Sequence, residues 1–318
     1  MTLFRRRPSL FRHVAHFENV LGTSLEIQLV CAEETSGPRA EIAVLDEIDR
    51  LSAIFNAYDE KSELSRWQTS FENEIEVSSE LAHVLAVAEW WKEKSRGAFN
   101  PAVEAMTRVW KRAELRNEAV SSRELEDLAA RIGGPLWEVD EAKRTARRLT
   151  TLPVTLNSVA KGFILDRAAS VGASVESVEE VLVNIGGDIR HIGAKEVPIA
   201  IADPRRDAEN AIPAARIAVR NQGVATSGNY RRGFRVEERW FSHLLDPRTG
   251  WPVEKLVGVS VVAPDAMTAD VLATVFSVLT TEESLKMADS LGNVGAFLVD
   301  ETGISRSNGV WKQQLQRV

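Results

Sequence analysis

Hydrophobic and polar positions change their period along the chain. In the segment LEIQLVC, Leu25, Ile27 and Leu29 alternate with polar residues, which is the pattern of a half-buried strand. Further along, apolar residues recur three or four positions apart, and this spacing is typical of an amphipathic helix. The pattern therefore predicts a strand over 24–31 and a helix over 41–55.

Serine residues mark the starts of two further helices in the N-terminal half. Ser78 and Ser79 precede a segment with helical apolar spacing, and Gly97 is a plausible end for it. Ser121 precedes another such segment, and Glu124 follows three residues later, as in a capping box. Each pattern predicts a helix.

Strand patterns dominate after about residue 135. Helical spacing interrupts them twice, at about 158–172 and 266–279. Because helices and strands are partly segregated along the chain, the pattern favours an α+β fold over a regular βαβ array. No linker is visible, so we expect one domain. The predicted strands are 179–184, 189–192, 197–202, 214–220, 234–245 and 257–263.

Composition narrows the class of protein. The 318 residues are 44% apolar and 27% charged, as in an ordinary globular protein. The net charge of -7 argues against broad nucleic-acid binding, which needs a concentrated positive surface. Cys31 is the single cysteine, which excludes an internal disulfide and a multi-cysteine metal site.

The N-terminal sequence MTLFRRRPSLFRHVAHF resembles an export signal only in its three arginines. No uninterrupted apolar segment of about 7–15 residues follows them, as a signal peptide requires. No window approaches the roughly 20 apolar residues of a membrane span. The sequence therefore predicts a cytoplasmic protein without a membrane span.

Two stretches contain residues suited to an anion or to close approach of a ligand. In VLVNIGGDIRHIG, Gly186 and Gly187 indicate a hairpin turn, or a place where a ligand approaches the backbone. In LNSVAKGFILDRAA, Asn157 or Ser158 is expected to cap a helix. Lys161 lies in the first turn of that helix, where a cation opposes the helix dipole. A nearby phosphate would account for a cation at this position, and the alternative is a solvated lysine.

The segment TADVLATVFSVL places a carboxylate and a hydroxyl on one helical face. Asp270 and Thr274 are four residues apart, so their side chains are neighbours on a helix. Such oxygen donors suit Mg²⁺. The alternative is a charge near the helix start and a packed threonine.

The segment SHLLDPRTGWP holds one of only five histidines. Ser227 and Gly228 are predicted to form a loop, after which a pair of strands returns to His243. Residues 246–250 then supply turn chemistry. His243 is therefore either a residue packed at a strand end or a reacting group, and this stretch alone leaves both open.

In chain order, these stretches resemble motifs of the ApbE family, the FAD:protein FMN transferases. The similar motifs are its AKG helix, LVNxGGD, ATSGxY…SHxxDPxTG and ADxLAT. The segments LGTSLEIQL, FNAYDEKSELSRW and GAFNPAV resemble the family's MGT strand, SxYxxxSExSR and GAFDPxV. The similarity runs from about residue 20 to residue 300. It implies a single ApbE-like, T-fold-like α+β domain over 20–318, with β-sheets flanked by helices, after an N-terminal extension of residues 1–19.

The resemblance also implies an activity. Members of this family bind FAD with Mg²⁺ and transfer FMN through a phosphoester bond to a Ser or Thr of a target flavoprotein, releasing AMP. The alternatives are an FAD pyrophosphatase, which uses water as the acceptor, and a flavin-binding protein without turnover.

The resemblance assigns roles to particular residues. His243 would be the general base, since an imidazole with a pKa near 6.5 can accept a hydroxyl proton at neutral pH. Asp270 and Thr274, with the carbonyl of Ser158, would bind Mg²⁺. The flavin nucleotide contacts would be Leu21, Tyr58, Ala98, Phe99, Asn100, Thr155, Lys161 and Leu244.

The sequence departs from the family pattern mainly at the flavin contacts. Leu21 stands where Met is usual, and Thr155 and Asn100 each stand where Asp is common. Asn157 and Ser158 replace a frequent Gly-Gly. A carboxylate is lost at Thr155, although its hydroxyl can still hydrogen-bond.

Overall fold

A computed structural model describes residues 9–205, 212–228, 233–254 and 256–315. Helices and strands are both abundant, and they are partly segregated along the chain, so the α+β class is confirmed. The helices are α1 (Ser36–Phe55), α2 (Glu63–Gln68), α3 (Ser79–Lys94), α4 (Glu104–Arg116), α5 (Ser122–Gly133), α6 (Asn157–Ser174), α7 (Ala266–Val278), α8 (Thr281–Leu291) and α9 (Gly309–Gln314).

The strands form one large antiparallel sheet and three small ones. They are β1 (Phe11–Val20), β2 (Thr23–Cys31), β3 (Glu74–Glu76), β4 (Trp137–Asp140), β5 (Thr145–Arg148), β6 (Val178–Ile185), β7 (Asp188–Ile192), β8 (Val197–Ile201), β9 (Ala215–Val219), β10 (Gly223–Gly228), β11 (Gly233–Val236), β12 (Arg239–Ser242), β13 (Leu256–Ala263), β14 (Gly295–Asp300) and β15 (Ser305–Ser307).

The large sheet has the strand order β1-β2-β6-β7-β10-β13-β14-β15. The pairs β11-β12 and β8-β9 and the trio β3-β5-β4 form the small sheets. Through β1, the second half of the predicted N-terminal extension, residues 1–19, belongs to the large sheet. Residues 1–8 lie outside the described part of the chain.

Both faces of the large sheet are covered. Along β6, Val181 and Val183 lie in the main core, which includes residues of α1, α6 and α7, whereas Leu182 lies in a second cluster. This alternation follows from the two-residue period of a strand. The second cluster includes residues of β8 and β9 and Trp311 of α9, so these elements cover the opposite face.

Two glycines allow α7 to pack closely against its neighbours. A Cβ atom on Gly162 of α6 would lie 2.5 Å from the carbonyl oxygen of Ala266, and one on Gly223 of β10 would lie 2.4 Å from its nitrogen. Asp166 of α6 accepts hydrogen bonds from the N–H groups of Ala266 and Met267, at 2.8 and 2.9 Å. The first turn of α7 is thus held against both α6 and the sheet.

Two sequence predictions in the C-terminal half are corrected. Ser227 and Gly228 do not form a loop, because both belong to β10 and pair with β13. The strand predicted over 234–245 is two strands, since Glu237 and Glu238 turn the chain with φ values of 47° and 66°. Asn229 and Tyr230, which complete the ATSGxY motif, lie outside the described residues.

None of the helices in the described ranges combines the length and the apolar character needed to cross a bilayer.

Candidate functional site

A cavity of about 540 Å³ brings together residues from three of the stretches singled out in the sequence, among them Lys161 and His243. Lys161, from α6, and His243, immediately after β12, both line it. Strand residues of the large sheet and of β8 form most of the remaining lining. The fold thus places a cation and an imidazole from distant parts of the chain beside one space.

The ammonium group of Lys161 forms an ion pair with Asp188. Asp188 is 2% exposed and follows the predicted glycine turn, which is present as a tight hairpin with Gly186 at φ 60° and Gly187 at φ 96°. Its Oδ1 also accepts the N–H of Thr226 at 3.1 Å. Asp188 therefore links α6, β7 and β10 at the edge of the cavity.

Asp270 is a buried carboxylate at the contact between α6 and α7. Its Oδ2 accepts the backbone N–H of Gly162 at 3.2 Å. Burial, and after it the charge of Asp188, raises the pKa of Asp270 above its ordinary range, while Lys161 and the Gly162 N–H act in the opposite direction. Thr274 lies one helical turn further along α7 and is half-buried. The predicted helical face is therefore present.

The start of α6 differs from the prediction. Neither Asn157 nor Ser158 caps the helix, because both are already helical and the N-cap position is Leu156, which offers no side-chain acceptor. The hydroxyl of Thr155 instead accepts the N–H of Asn157 at 3.4 Å. The carbonyl of Leu156 accepts the N–H groups of Val159 and Ala160 at 2.9 and 2.7 Å, so most donors of this helix start are already engaged.

The donor set fits Mg²⁺. Within the described ranges, no group of three or more His, Cys, Asp or Glu residues could hold a metal ion. Binding through Asp270 and Thr274 would therefore need a backbone carbonyl, phosphate oxygens and water, which is the mixed oxygen shell that Mg²⁺ commonly has. Burial is the main cause of the raised pKa of Asp270, and the charge of Asp188, which is the second cause, is one that a dication would balance.

The position of His243 is fixed by the residues that follow it. The N–H of Leu244 donates to the buried Ser242 hydroxyl at 3.1 Å, and the carbonyl of Leu244 accepts the N–H of Val253 at 2.8 Å. Leu245 forms a β-bridge with Pro252. The chain therefore closes into a compact loop immediately after His243.

That loop is anchored to the helices of the N-terminal half. Inside it, the N–H of Arg248 donates to Asp246 at 2.9 Å, and the Arg248 guanidinium forms an ion pair with the same carboxylate. Gly250 has a φ of 77°, and its carbonyl accepts the indole N–H of Trp110 at 2.8 Å. Trp110 is 1% exposed, so a core residue of α4 holds the loop that carries His243.

Comparison with known proteins identifies the family, since residues 21–298 match the ApbE family. The chain belongs to the ApbE family. An FAD:protein FMN transferase from Haemophilus influenzae is 32% identical over 289 residues, which is 85% of this chain and 81% of that protein. Another, from Treponema pallidum, is 27% identical over 328 residues, 94% of this chain and 88% of its own.

Solved structures agree with this assignment. The crystal structure of the ApbE protein from Thermotoga maritima superposes with a TM-score of 0.83 at 27% identity, covering 96% of this chain and all of that one. The apo flavinyl transferase ApbE from Pseudomonas stutzeri gives a TM-score of 0.78 at 23% identity and supports the fold.

The ApbE-like flavin contacts fall into exposed and buried groups. Leu21 lies in the β1–β2 turn with a φ of 50°, and Tyr58, shortly after α1, is 89% exposed. Ala98, Phe99 and Asn100 are buried. These assignments remain predictions.

Asn100 and Thr155 are tied into the protein's own hydrogen bonds. The Asn100 amide donates to the carbonyl of Ile132 at 2.9 Å and accepts the N–H of Ala102 at 2.9 Å. The N–H of Thr155 donates to the carbonyl of Pro101 at 2.8 Å. Since the Asn100 side chain is engaged with the protein, a flavin contact there is expected to use the backbone.

Sequence reasoning assigned no role to two acidic residues that organise this site. Asp188 ends the GGD motif and pairs with Lys161. Asp166 lies five residues after Lys161 and binds the start of α7. The signal for Asp188 was its place in the LVNxGGD motif, and the signal for Asp166 was an acidic residue after the apolar run GFIL.

Proposed function

We propose that this protein is a Mg²⁺-dependent FAD:protein FMN transferase, which attaches FMN to a Ser or Thr of a target flavoprotein and releases AMP. The observation that carries the proposal is that Lys161 and His243 line one cavity. The names of the relatives from Haemophilus influenzae and Treponema pallidum support the same activity.

The reaction assigns His243 the role of general base. The acceptor hydroxyl oxygen attacks the phosphorus of the FMN phosphate, and the bond from that phosphorus to the bridging oxygen breaks. AMP leaves with the electron pair, and the imidazole of His243 accepts the hydroxyl proton. A phosphoester between FMN and the acceptor results.

Lys161 balances charge on the pyrophosphate. Its ammonium is half-buried and paired with Asp188, which limits the positions it can adopt. Phosphoryl-type transfer depends mainly on positioning and charge stabilisation, so an oriented ammonium group at the cavity wall suits this chemistry.

Asp270, Thr274 and the carbonyl of Ser158 would hold Mg²⁺. The ion would stabilise charge on the phosphate oxygens during transfer. Gly162 contributes through its N–H, which fixes one oxygen of Asp270 and leaves the other for the metal.

One incubation tests the proposal. Purified protein is mixed with FAD, Mg²⁺ and a candidate acceptor protein, and the products are analysed by mass. FMN on the acceptor with equimolar AMP is the expected result. Free FMN with AMP would indicate a pyrophosphatase instead, and unchanged FAD would contradict catalysis altogether.

The cytoplasmic location and the domain boundary at residue 20 remain predictions from the sequence.

A further inference from the structure

We propose that the cavity beside His243 binds an extended, uncharged segment of the acceptor protein along the edge of β8. We call this space the acceptor groove, with the large sheet as its floor and residues 199–202 as one wall. The inference rests on the proposed function and names where its second substrate binds.

The wall of the acceptor groove is the edge of a strand. Side chains alternate between the two faces of a strand, so a space lined by four consecutive residues, Ile199 to Ala202, runs along the backbone. β8 pairs with β9 on one side, and in the described part of the chain no strand pairs with its other side. Pro198, which has no N–H, fits an edge position. A free edge offers hydrogen bonds to an added strand.

The β9 edge of the two-stranded β8–β9 sheet is covered, which leaves the β8 edge for an added strand. β9 is flanked on its far side by a β-bridge between Ile217 and Leu315. The space for an additional strand therefore lies beside β8. The five residues of β8 span about 16 Å, so a segment of about five residues fits along it.

The described floor of the acceptor groove offers hydroxyl and apolar groups. Thr226 and Ser260 present hydroxyls that lie 2.9 Å apart, and Phe297 and Val299 add apolar surface. Apart from His243, Lys161 is the one ionisable residue among the described lining residues. Beside these hydroxyl and apolar side chains, a charged side chain on the bound segment would lose water without gaining an oppositely charged partner. The glycines of the lining are Gly186, Gly187, Gly228 and Gly258.

The predicted flavin contacts lie largely elsewhere. Among them only Lys161 is part of the described lining, while Tyr58, Thr155 and Leu244, for example, are not. With the flavin nucleotide at those predicted contacts, Lys161 and His243 would lie where its site adjoins the acceptor groove. In-line transfer needs the attacking hydroxyl on the side of the phosphorus opposite to the leaving group, which is the arrangement that two adjoining subsites provide.

A substitution in the wall tests the inference. Ala200 is exposed, lines the acceptor groove and pairs with Arg216 of β9, which is exposed but is not among the lining residues. Ala200→Trp should obstruct the groove, whereas Arg216→Trp places the same ring on the same small sheet outside it. Both variants and the native protein receive FAD, Mg²⁺ and a nine-residue peptide of Gly and Ala with one central Thr. Twin peptides carry Val in place of Thr, or Glu two residues before and two residues after it, on the same face of the extended segment.

Peptide-bound FMN, FAD affinity and FAD cleavage are measured on each protein. We expect the native protein and Arg216→Trp to modify the Thr peptide, Ala200→Trp to do so at least about tenfold less efficiently through a higher KM for the peptide, and all three to bind FAD alike. The Val twin should stay unmodified and the Glu twin should react poorly.

Three results would overturn the inference while leaving the proposed function in place. They are equal peptide modification by Ala200→Trp and the native protein, equal impairment by Arg216→Trp, and no peptide modification by a native protein that transfers FMN to an acceptor protein. Weaker FAD binding by Ala200→Trp would also overturn it, since the space would then belong to FAD. If the native protein neither binds nor cleaves FAD, the proposed function itself fails.

Discussion

The backbone N–H of Gly162 donates to the Oδ2 of Asp270 at 3.2 Å, across the contact between α6 and α7. The contact is close because Gly162 has no side chain, and a Cβ there would meet backbone atoms of Ala266 and Met267 at 2.5 Å. The residue that follows the lysine of the AKG motif therefore sets the position of a predicted metal ligand.

Gly162→Ala should therefore damage both stability and metal binding. Because the obstructing atoms belong to the backbone, α7 has to shift, and overpacking of this kind costs about 1–3 kcal/mol. Denaturant unfolding and Mn²⁺ binding followed by electron paramagnetic resonance would measure the two effects. Gly133→Ala, in α5, is the matched control, since a Cβ there meets nothing within 4 Å and stability should be unchanged or slightly higher. If Gly162→Ala left the free energy of unfolding unchanged, the packing argument would be contradicted.

Asp270→Asn should separate stability from activity. A raised pKa means that the charged carboxylate is disfavoured in the metal-free fold at neutral pH, so its neutral isostere should keep or raise the melting temperature. The rate of FMN transfer at low Mg²⁺ should fall by more than about 100-fold. Mutation of a residue that only hydrogen-bonds to a metal ligand already lowers metal affinity or activity by about 10–100-fold. Asp265→Asn is the control, because Asn also caps a helix start. Full activity of Asp270→Asn at low Mg²⁺ would remove Asp270 from the metal site.

Much of the fold was predictable because its segments have one clear period. The predicted strands at 24–31 and 257–263 and the helix at 158–172 differ from β2, β13 and α6 by at most two residues at either end. β2, α6 and α7 pack their buried apolar residues into the main core, so burial and sequence pattern coincide there, whereas β13 divides its apolar residues between the two clusters.

Other elements were missed for identifiable reasons. β1 alternates the half-buried His13, Ala15 and Phe17 with exposed residues, but its histidines and charges made it resemble a tail. His13 instead contacts Glu41 of α1 at 2.5 Å. α4 has helical apolar spacing but no capping side chain at its start. α8, for which no helix was predicted, does begin with a capping box. The β11–β12 turn could not be foreseen, because Glu237 and Glu238 adopt the left-handed backbone usually taken by Gly or Asn.

The site residues could be predicted from sequence motifs, but their contacts with one another could not. Nothing in the sequence pairs Lys161 with Asp188, because the contact depends on how α6 crosses the start of β7. The role of Gly162 is likewise visible only once α7 lies against it. Long-range contacts of this kind are set by the packing of whole elements, which local patterns do not encode.

His191 predicts a pH dependence of stability. It is 1% exposed, its Nε2 lies 3.1 Å from Glu180, and its Nδ1 accepts the N–H of Asn221 at 3.2 Å. Burial lowers the pKa of His191 below its ordinary value of 6.5. The unfolded chain therefore binds the proton more readily than the folded protein does. The contribution of the neutral His191 to stability is complete above about pH 6.5 and is lost as the pH falls below that value.

The free energy of unfolding should therefore decrease from pH 7.5 to pH 5.5 in denaturant titrations. Gln can accept from Asn221 and donate to Glu180 without titrating, so His191→Gln should show a shallower decrease over this interval. His83→Gln is the control, because His83 lies on the surface with a side chain that is 44% exposed. Identical slopes for the native protein and His191→Gln would show that the buried imidazole is not the titrating group.

Tyr58 should contribute to FAD binding but not to folding. Its side chain is 89% exposed, so truncation removes little buried surface. A ring in this position can stack on a flavin or adenine ring, which is worth about 0.5–1.5 kcal/mol. Tyr58→Ala should weaken FAD binding, measured by fluorescence quenching, with an unchanged melting temperature. Tyr58→Phe should bind nearly normally, and Leu115→Ala, at an apolar residue 87% exposed on α4, should have no effect. Native affinity in Tyr58→Ala would leave Tyr58 without a role in binding.

His243→Asn should lose FMN transfer while keeping the fold and most of the affinity for FAD. The imidazole is expected to act on the acceptor hydroxyl, so its removal affects the transition state and not the ground-state binding of FAD. Positioned acid–base groups contribute about 10²–10⁴-fold, which sets the size of the expected loss. The loop after His243 is held by its own backbone bonds and by Trp110, so the melting temperature should change little. Melting temperature, FAD affinity and transfer rate are measured on one preparation, with His83→Asn as the control. A variant with a lowered melting temperature and a normal transfer rate would make His243 a packing residue instead of the base.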